Sequence, residues 1–221
     1  MIKKFKGLLF PDEYIIKFFF KKKLNKIKNN VLELGCSNGN NLNLFYNFGW
    51  NVTGVDIDAK NIIKAKHNFS INKKKLAAKN NYFFVKNDML DFIKDQKELK
   101  FNTIIFANSL YYLPYEKIIE LLYSLRSKIK NKVNIFFRIR LRGDERAKMA
   151  RKISKFTYLI KLNATNEIGC FNTFFSRKEF LNLINKIFKV RSKTSLEIKY
   201  ENLIKNKIYI NNDLIFWGVI S

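Results

Sequence analysis

Histidine occurs once in 221 residues, at position 67, and cysteine and proline occur twice each. The two cysteines, Cys36 and Cys170, have no C-x-x-C spacing, which excludes a disulfide framework and a cysteine zinc site. No bound metal is expected, and a reducing compartment is. Long apolar runs are missing too. Phe18-Phe19-Phe20 is too brief to cross a bilayer, and Pro11-Asp12-Glu13 cuts the apolar stretch of Met1 to Phe10 short of a secretory core. The expectation is a soluble, cytoplasmic protein with no membrane span. Acidic residues are scarce, 18 against 43 lysines and arginines, giving a net charge of +25. Such a chain attracts polyanions, so RNA is one candidate partner. Lys, Asn, Ile and Phe are overused while Pro, Ala and Arg are scarce, as an adenine- and thymine-rich genome imposes on any protein. Repeats and linker-like segments are absent, and residues 1–221 read as one domain.

Glycine is also sparse, with eight in the chain, yet Gly35 and Gly39 stand four apart directly after the apolar run Val31-Leu32-Glu33-Leu34. A strand entering a glycine turn and then a helix is how a parallel sheet brings bare backbone against a small ligand. The spacing is not the G-x-G-x-x-G of dinucleotide sites, and no Lys-Ser or Lys-Thr pair follows Gly39 to make a P-loop. A second apolar run ends in Val55-Asp56-Ile57-Asp58, with Asp56 twenty-three positions beyond Glu33, one β-α-β unit away. A carboxylate there can accept from ribose hydroxyls or cap the next helix. A third run, Tyr82 to Val85, leads into Asn87-Asp88-Met89, where Asp88 is a ligand candidate or a turn residue. A fourth, Thr103 to Ala107, ends in Asn108-Ser109-Leu110-Tyr111-Tyr112.

The glycine segment resembles motif I of class I S-adenosylmethionine-dependent methyltransferases, an acidic residue and an aliphatic one before Gly-Cys/Ser-Gly-x-Gly. Ser37 stands where the middle glycine is usual. The resemblance implies S-adenosyl-L-methionine as cofactor, held by Glu33, Gly35, Cys36, Ser37, Gly39, Asp56, Ile57, Asp88, Met89 and Asn108. It gives Asp56 the ribose and Asp88 with Met89 the adenine. It also places Asn108, Tyr111 and Tyr112 at the transfer point, the two tyrosines as catalytic candidates. Ser37 either keeps an allowed backbone or shifts the loop, and its hydroxyl can donate to the cofactor.

The apolar periodicity predicts an α/β fold, a doubly wound, mostly parallel sheet of Rossmann-like methyltransferase type closed by a C-terminal antiparallel pair. Residues 1–30 form a helical cap, with a helix over Tyr14 to Lys28 that could instead lie on an anionic membrane. Residues 31–138 form the cofactor core, with helices from about Asn41, through Lys66 and over 115–128, and strands at 52–55, 82–85, 103–107 and 133–138. Residues 139–178 form a substrate-side insert, with a hairpin or lid over Thr165 to Ser176. Residues 179–221 carry a helix at Phe180 to Phe188 and closing strands near Ser195 to Tyr200 and Leu214 to Ile220.

Methyl transfer from a sulfonium needs little beyond alignment, so few catalytic groups are required. His67 lies in a helix away from the strand ends where ligands collect; Asp144, Glu145 and Glu167 are the other base candidates. Arg138, Arg140 and Arg142 alternate, which aims all three at one face if extension persists. Guanidinium forks there suit a small anionic acceptor. The expected substrate is a small polar, possibly anionic, metabolite or sugar-linked precursor; RNA methylation and a non-catalytic cofactor-binding protein are the alternatives.

Overall fold

The computed structural model describes residues 10–76, 79–161, 167–204 and 206–221. Residues 1–9 of the expected cap and 162–166 of the expected insert, which include the first two residues of the expected lid, lie outside them. In chain order the elements are α1 (Glu13–Lys21), β1 (Asn30–Leu34), α2 (Asn40–Asn47), β2 (Asn51–Asp56), α3 (Ala59–Leu76), β3 (Tyr82–Lys86), α4 (Met89–Asp95), β4 (Thr103–Ala107), α5 (Tyr115–Lys128) and β5 (Val133–Arg140). There follow α6 (Glu145–Met149), β6 (Arg151–Lys152), β7 (Thr157–Leu159), β8 (Phe171–Thr173), α7 (Arg177–Ile187), β9 (Val190–Ile204) and β10 (Lys207–Ile220). The main sheet has seven strands in the order β3-β2-β1-β4-β5-β10-β9. The first five pair in parallel and the last two run antiparallel, so the expected doubly wound fold with its closing pair is the one observed. The strand order reverses between β1 and β4, which opens a crevice at their C-terminal ends.

Period-two alternation sends side chains to two cores. Leu32, Leu34, Ile104, Phe106, Ile135 and Phe137 pack under α4, α5 and α7. Val31, Val52, Ile105, Phe136 and Trp217 pack under α1, α2 and α3. Each buried large apolar side chain contributes about 1.5–3 kcal/mol, which fixes the register of the strands carrying the crevice.

Several boundaries differ from expectation. The first helix stops at Lys21, not Lys28, because Lys23 takes a left-handed backbone, and a short 3-10 turn over Leu24–Lys26 then buries Leu24. Phe18 and Phe19 are fully buried against Phe136, Trp217 and Phe45, so the apolar face proposed for a membrane surface is used inside the fold. The third helix runs ten residues past Lys66, since Phe69 continues the buried face begun by Ile62 and Ala65. The closing strands are much longer than expected and form a ribbon whose outer half extends past the end of β5. The insert holds a small antiparallel sheet of order β6-β7-β8. Among the described residues, no helix is long and apolar enough to cross a membrane.

Candidate active site

The loop leaving β1 is fastened from three sides. The amides of Gly35 and Cys36 donate to the Val55 carbonyl at 2.8 and 2.9 Å, and the Ser109 hydroxyl donates to the Leu34 carbonyl at 2.5 Å. Gly35 has φ +78°, and a Cβ there would sit 2.3 Å from the Cβ of Ser109, so both the backbone and the close approach of the β4 loop demand glycine. Ser37 adopts φ +48°, the left-handed region that the replaced glycine would favour. Instead of the expected allowed backbone or shifted loop, Ser37 takes up the glycine-like conformation itself. It is anchored there by a 2.8 Å bond from the Ser37 amide to Oδ2 of Asp56.

Asp56 does not cap the helix that follows. Asp58 does, accepting from the Lys60 amide at 2.8 Å, while Oδ1 of Asp56 accepts from the Asp58 amide at 2.9 Å. Asp88 does cap its helix, with Oδ1 accepting from the Leu90 amide at 2.8 Å. The carboxylate oxygens of Asp56 keep further lone pairs for hydroxyl donors.

These loops enclose a cleft of about 640 Å³, within the range of small-molecule sites. Glu33, Gly35, Cys36, Ser37, Asp56, Ile57, Asp88, Met89, Asn108 and Tyr112 line it. Gly39 is set back as the N-cap of α2, where it offers no capping side chain. Asp12, Asn40 and Asn41 also line the cleft and escaped the sequence reading. The signal for the asparagines was available, because the first turn of a helix behind a glycine loop faces the ligand. Asp12 entered the sequence reading only as part of Pro11-Asp12-Glu13; it is the N-cap of α1, and its amide donates to Asn41 Oδ1 at 2.8 Å.

Glu33 is only 1% exposed. Asn41 Nδ2 donates to its Oε1 at 2.6 Å, whereas Oε2 has no partner among the described residues. Burial pushes its pKa up to about 8, with Asp12 and Asp56 adding and the Asn41 hydrogen bond opposing. Asn40 Nδ2 is likewise buried without a partner. Glu33 and Asn40, both lining the cleft, thus carry a buried acceptor and a buried donor without a protein partner among the described residues, beside an uncapped helix N-terminus. Cys36 is buried, which raises its thiol pKa far above the ordinary range.

The arginines are placed differently from expectation. β5 ends at Arg140, so Arg138 and Arg140 share a face, but the chain turns at Arg142 and Gly143, and Arg142 binds Glu179 of α7 at 2.8 Å. None of the three lines the cleft. Arg138 bridges Asp12 at 2.6 Å and Asp213 at 2.7 Å. Arg140 donates to Asn172 at 2.6 Å and Glu167 at 2.8 Å, and its guanidinium lies 4.2 Å from the centre of the Tyr111 ring. Tyr111 is thereby buried beneath Arg140 and does not reach the cleft, while Tyr112 does and donates its hydroxyl to Glu167. Glu167 accepts from Arg146 as well, at 2.7 Å. Asp144 is the buried N-cap of α6, Glu145 pairs with Lys148 on the surface, and His67 is exposed on α3; none of them lines the cleft. No cluster of metal-ligating side chains occurs among the described residues.

A profile described as a methyltransferase domain matches residues 10–187. The chain belongs to the methyltransferase-domain family. The fold of this S-adenosylmethionine-dependent methyltransferase agrees with solved structures of low identity. A Methanosarcina mazei protein described as an S-adenosylmethionine-dependent methyltransferase is 16% identical, with a TM-score of 0.63 over 86% of this chain and 92% of its own. The N-methyltransferase NodS of Bradyrhizobium japonicum, in complex with S-adenosylhomocysteine, is 13% identical, with a TM-score of 0.58 over 95% and 86%. Magnesium protoporphyrin IX methyltransferase of Synechocystis, with bound S-adenosylmethionine, is 13% identical, with a TM-score of 0.56 over 93% and 76%. No curated protein matches the chain.

Proposed function

We propose that this methyltransferase transfers its methyl group to a small polar molecule, with the cleft at the ends of β1, β2 and β4 holding the cofactor. The observation carrying the assignment is the pair of buried polar atoms without a partner among the described residues, Glu33 Oε2 and Asn40 Nδ2, in two residues that line a cleft of fitting size. Asp56 takes the ribose hydroxyls. Ile57 and Met89 flank the adenine, and Asp88 accepts from its amino group. Glu33 receives the ammonium, while Asn40 and the first amides of α2 receive the carboxylate. Bound S-adenosylmethionine supplies an electrophilic methyl on a sulfonium. The chain's own task is to align the acceptor and exclude water, for which Asn108 and Tyr112 are the wall residues available. NodS and the protoporphyrin enzyme serve different acceptors on this fold, so the likeness supports the cofactor half of the reading and leaves the acceptor to the cleft's chemistry.

Calorimetric titration with S-adenosylmethionine and S-adenosylhomocysteine tests the site. Both bind the unaltered protein, and Asp56→Ala binds neither while remaining folded by circular dichroism. Unchanged affinity in that variant removes the ribose assignment.

A further inference from the structure

Five acidic side chains, of Asp12, Glu33, Asp56, Asp58 and Asp88, line the cleft, Asp12 paired with Arg138 and Glu33 favouring its protonated form, and among the described residues lining it there is no lysine, arginine or histidine. This is the reverse of a chain in which basic residues outnumber acidic ones by 43 to 18. The nearest guanidinium groups are spent inside the protein, on Asp12 and Asp213 for Arg138 and on Glu167 and Asn172 for Arg140. An anionic acceptor would therefore find no free cation on this wall and would pay desolvation against several carboxylates.

Two of the three hydroxyls on the same wall, those of Ser109 and Tyr112, have also committed their protons. Ser109 donates to the Leu34 carbonyl, and Tyr112 donates to Glu167. Burial pulls the Glu167 carboxyl upward, but Arg140, the hydrogen bonds from Arg140 and Tyr112, and Arg146 together hold it below the ordinary carboxylate range, so it stays an ionised acceptor. Burial in turn raises the Tyr112 phenol, outweighing Arg140, so it stays neutral. A neutral phenol whose one proton is used presents only lone pairs to a visitor. Of the groups beside the transfer point, only the Asn108 side chain keeps both donor and acceptor capacity.

Resting on the cofactor assignment above, in which Glu33, Asp56 and Asp88 hold the cofactor, we propose that the methyl acceptor is a small amine, captured as a hydrogen-bond donor by the Tyr112 oxygen beside this acid-lined cleft, and that Glu167 is the positioning residue that fixes Tyr112 as an acceptor toward it. The bound ammonium first loses a proton to solvent. The freed nitrogen lone pair forms the new N–C bond, the electron pair of the broken S–C bond remains on sulfur, and the positive charge passes from sulfur to nitrogen. No further reactant is needed.

The test uses benzylamine, benzoate and phenyl phosphate, matched in their ring and differing in charge, titrated calorimetrically into the full chain loaded with S-adenosylhomocysteine. Benzylamine binds at least about tenfold more tightly than either anion, a preference of roughly 1.4 kcal/mol. Asp12→Asn frees part of the Arg138 fork and narrows or inverts that ratio. Glu167→Gln and Tyr112→Phe weaken benzylamine severalfold, more than either lowers S-adenosylhomocysteine affinity. Benzylamine binding no tighter than the anions, including no measurable binding of any probe, overturns the proposal while the cofactor reading stands. Failure of S-adenosylhomocysteine itself to bind removes the cofactor reading and this inference with it.

Discussion

The backbone amide of Ser37 donates to Oδ2 of Asp56 at 2.8 Å, so the loop after the first strand hangs on the carboxylate that ends the second. The bond offsets a left-handed conformation that costs a non-glycine residue on the order of 1 kcal/mol. Ser37→Gly keeps the amide and relieves that cost. The expected result is a melting temperature higher by about 2–4 °C in differential scanning calorimetry. A lower cofactor affinity in the same variant would assign the Ser37 hydroxyl a direct contact.

Gly35 and Ser109 cannot both carry a Cβ in the present backbone. Gly35→Ala should destabilise the protein by roughly 2–4 kcal/mol, from overpacking and positive φ together, and should abolish cofactor binding. Ser109→Gly in the same chain removes the clash but not the backbone strain. Urea denaturation should therefore show partial recovery in the double variant.

Glu33 is the group whose titration should be visible. Its folded pKa stands near 8, above the ordinary glutamate value of 4.5, so its protonated form is the one the fold favours. That contribution to stability is full below about pH 4.5 and is lost as pH rises through about 8. Glu33→Gln should remove the loss and melt higher than the unaltered ligand-free protein above pH 8. A cation bound at Oε2 expels the proton, so S-adenosylmethionine affinity should rise between pH 6 and pH 8 more steeply in the unaltered protein than in Glu33→Gln. Calorimetry in buffers of different ionisation enthalpy should detect the released proton.

Arg140 is largely buried between Glu167, Asn172 and the two tyrosines. Arg140→Met leaves Glu167 charged and short of a partner, at a cost of about 3–5 kcal/mol. Arg140→Lys should recover little of it, because an ammonium cannot span Asn172 and Glu167 as a planar fork while lying over the Tyr111 ring. Chemical denaturation of both variants checks the difference.

Sequence alone made the parallel core readable because its strands are short apolar runs ended by turn residues, as in Val31 to Gly35 and Val52 to Asp58. The last two residues of β5, past Arg138, were hidden, since charged residues at the end of an apolar run look like loop until their buried carboxylate partners are known. Those partners come from residues 12, 167 and 213, far apart in the chain. The long closing ribbon was obscured in the same way, because solvent on its outer half removes the apolar alternation that marks a strand. Glu33 near the end of β1, Asp56 at the end of β2 and Asp88 just after β3 were legible from those positions. Asp12 was not, because its relation to the cleft exists only once α1 has packed across α2.

The two cysteines fall where motion in this enzyme would matter most. Cys36 is buried in the glycine loop with its thiol held protonated, and Cys170 lies exposed on the insert. An alkylating reagent will therefore mark Cys170 promptly and reach Cys36 only during excursions of the loop. The slow labelling step is a built-in clock for how often the loop opens, and a ligand that holds it shut should slow that clock without any engineered reporter.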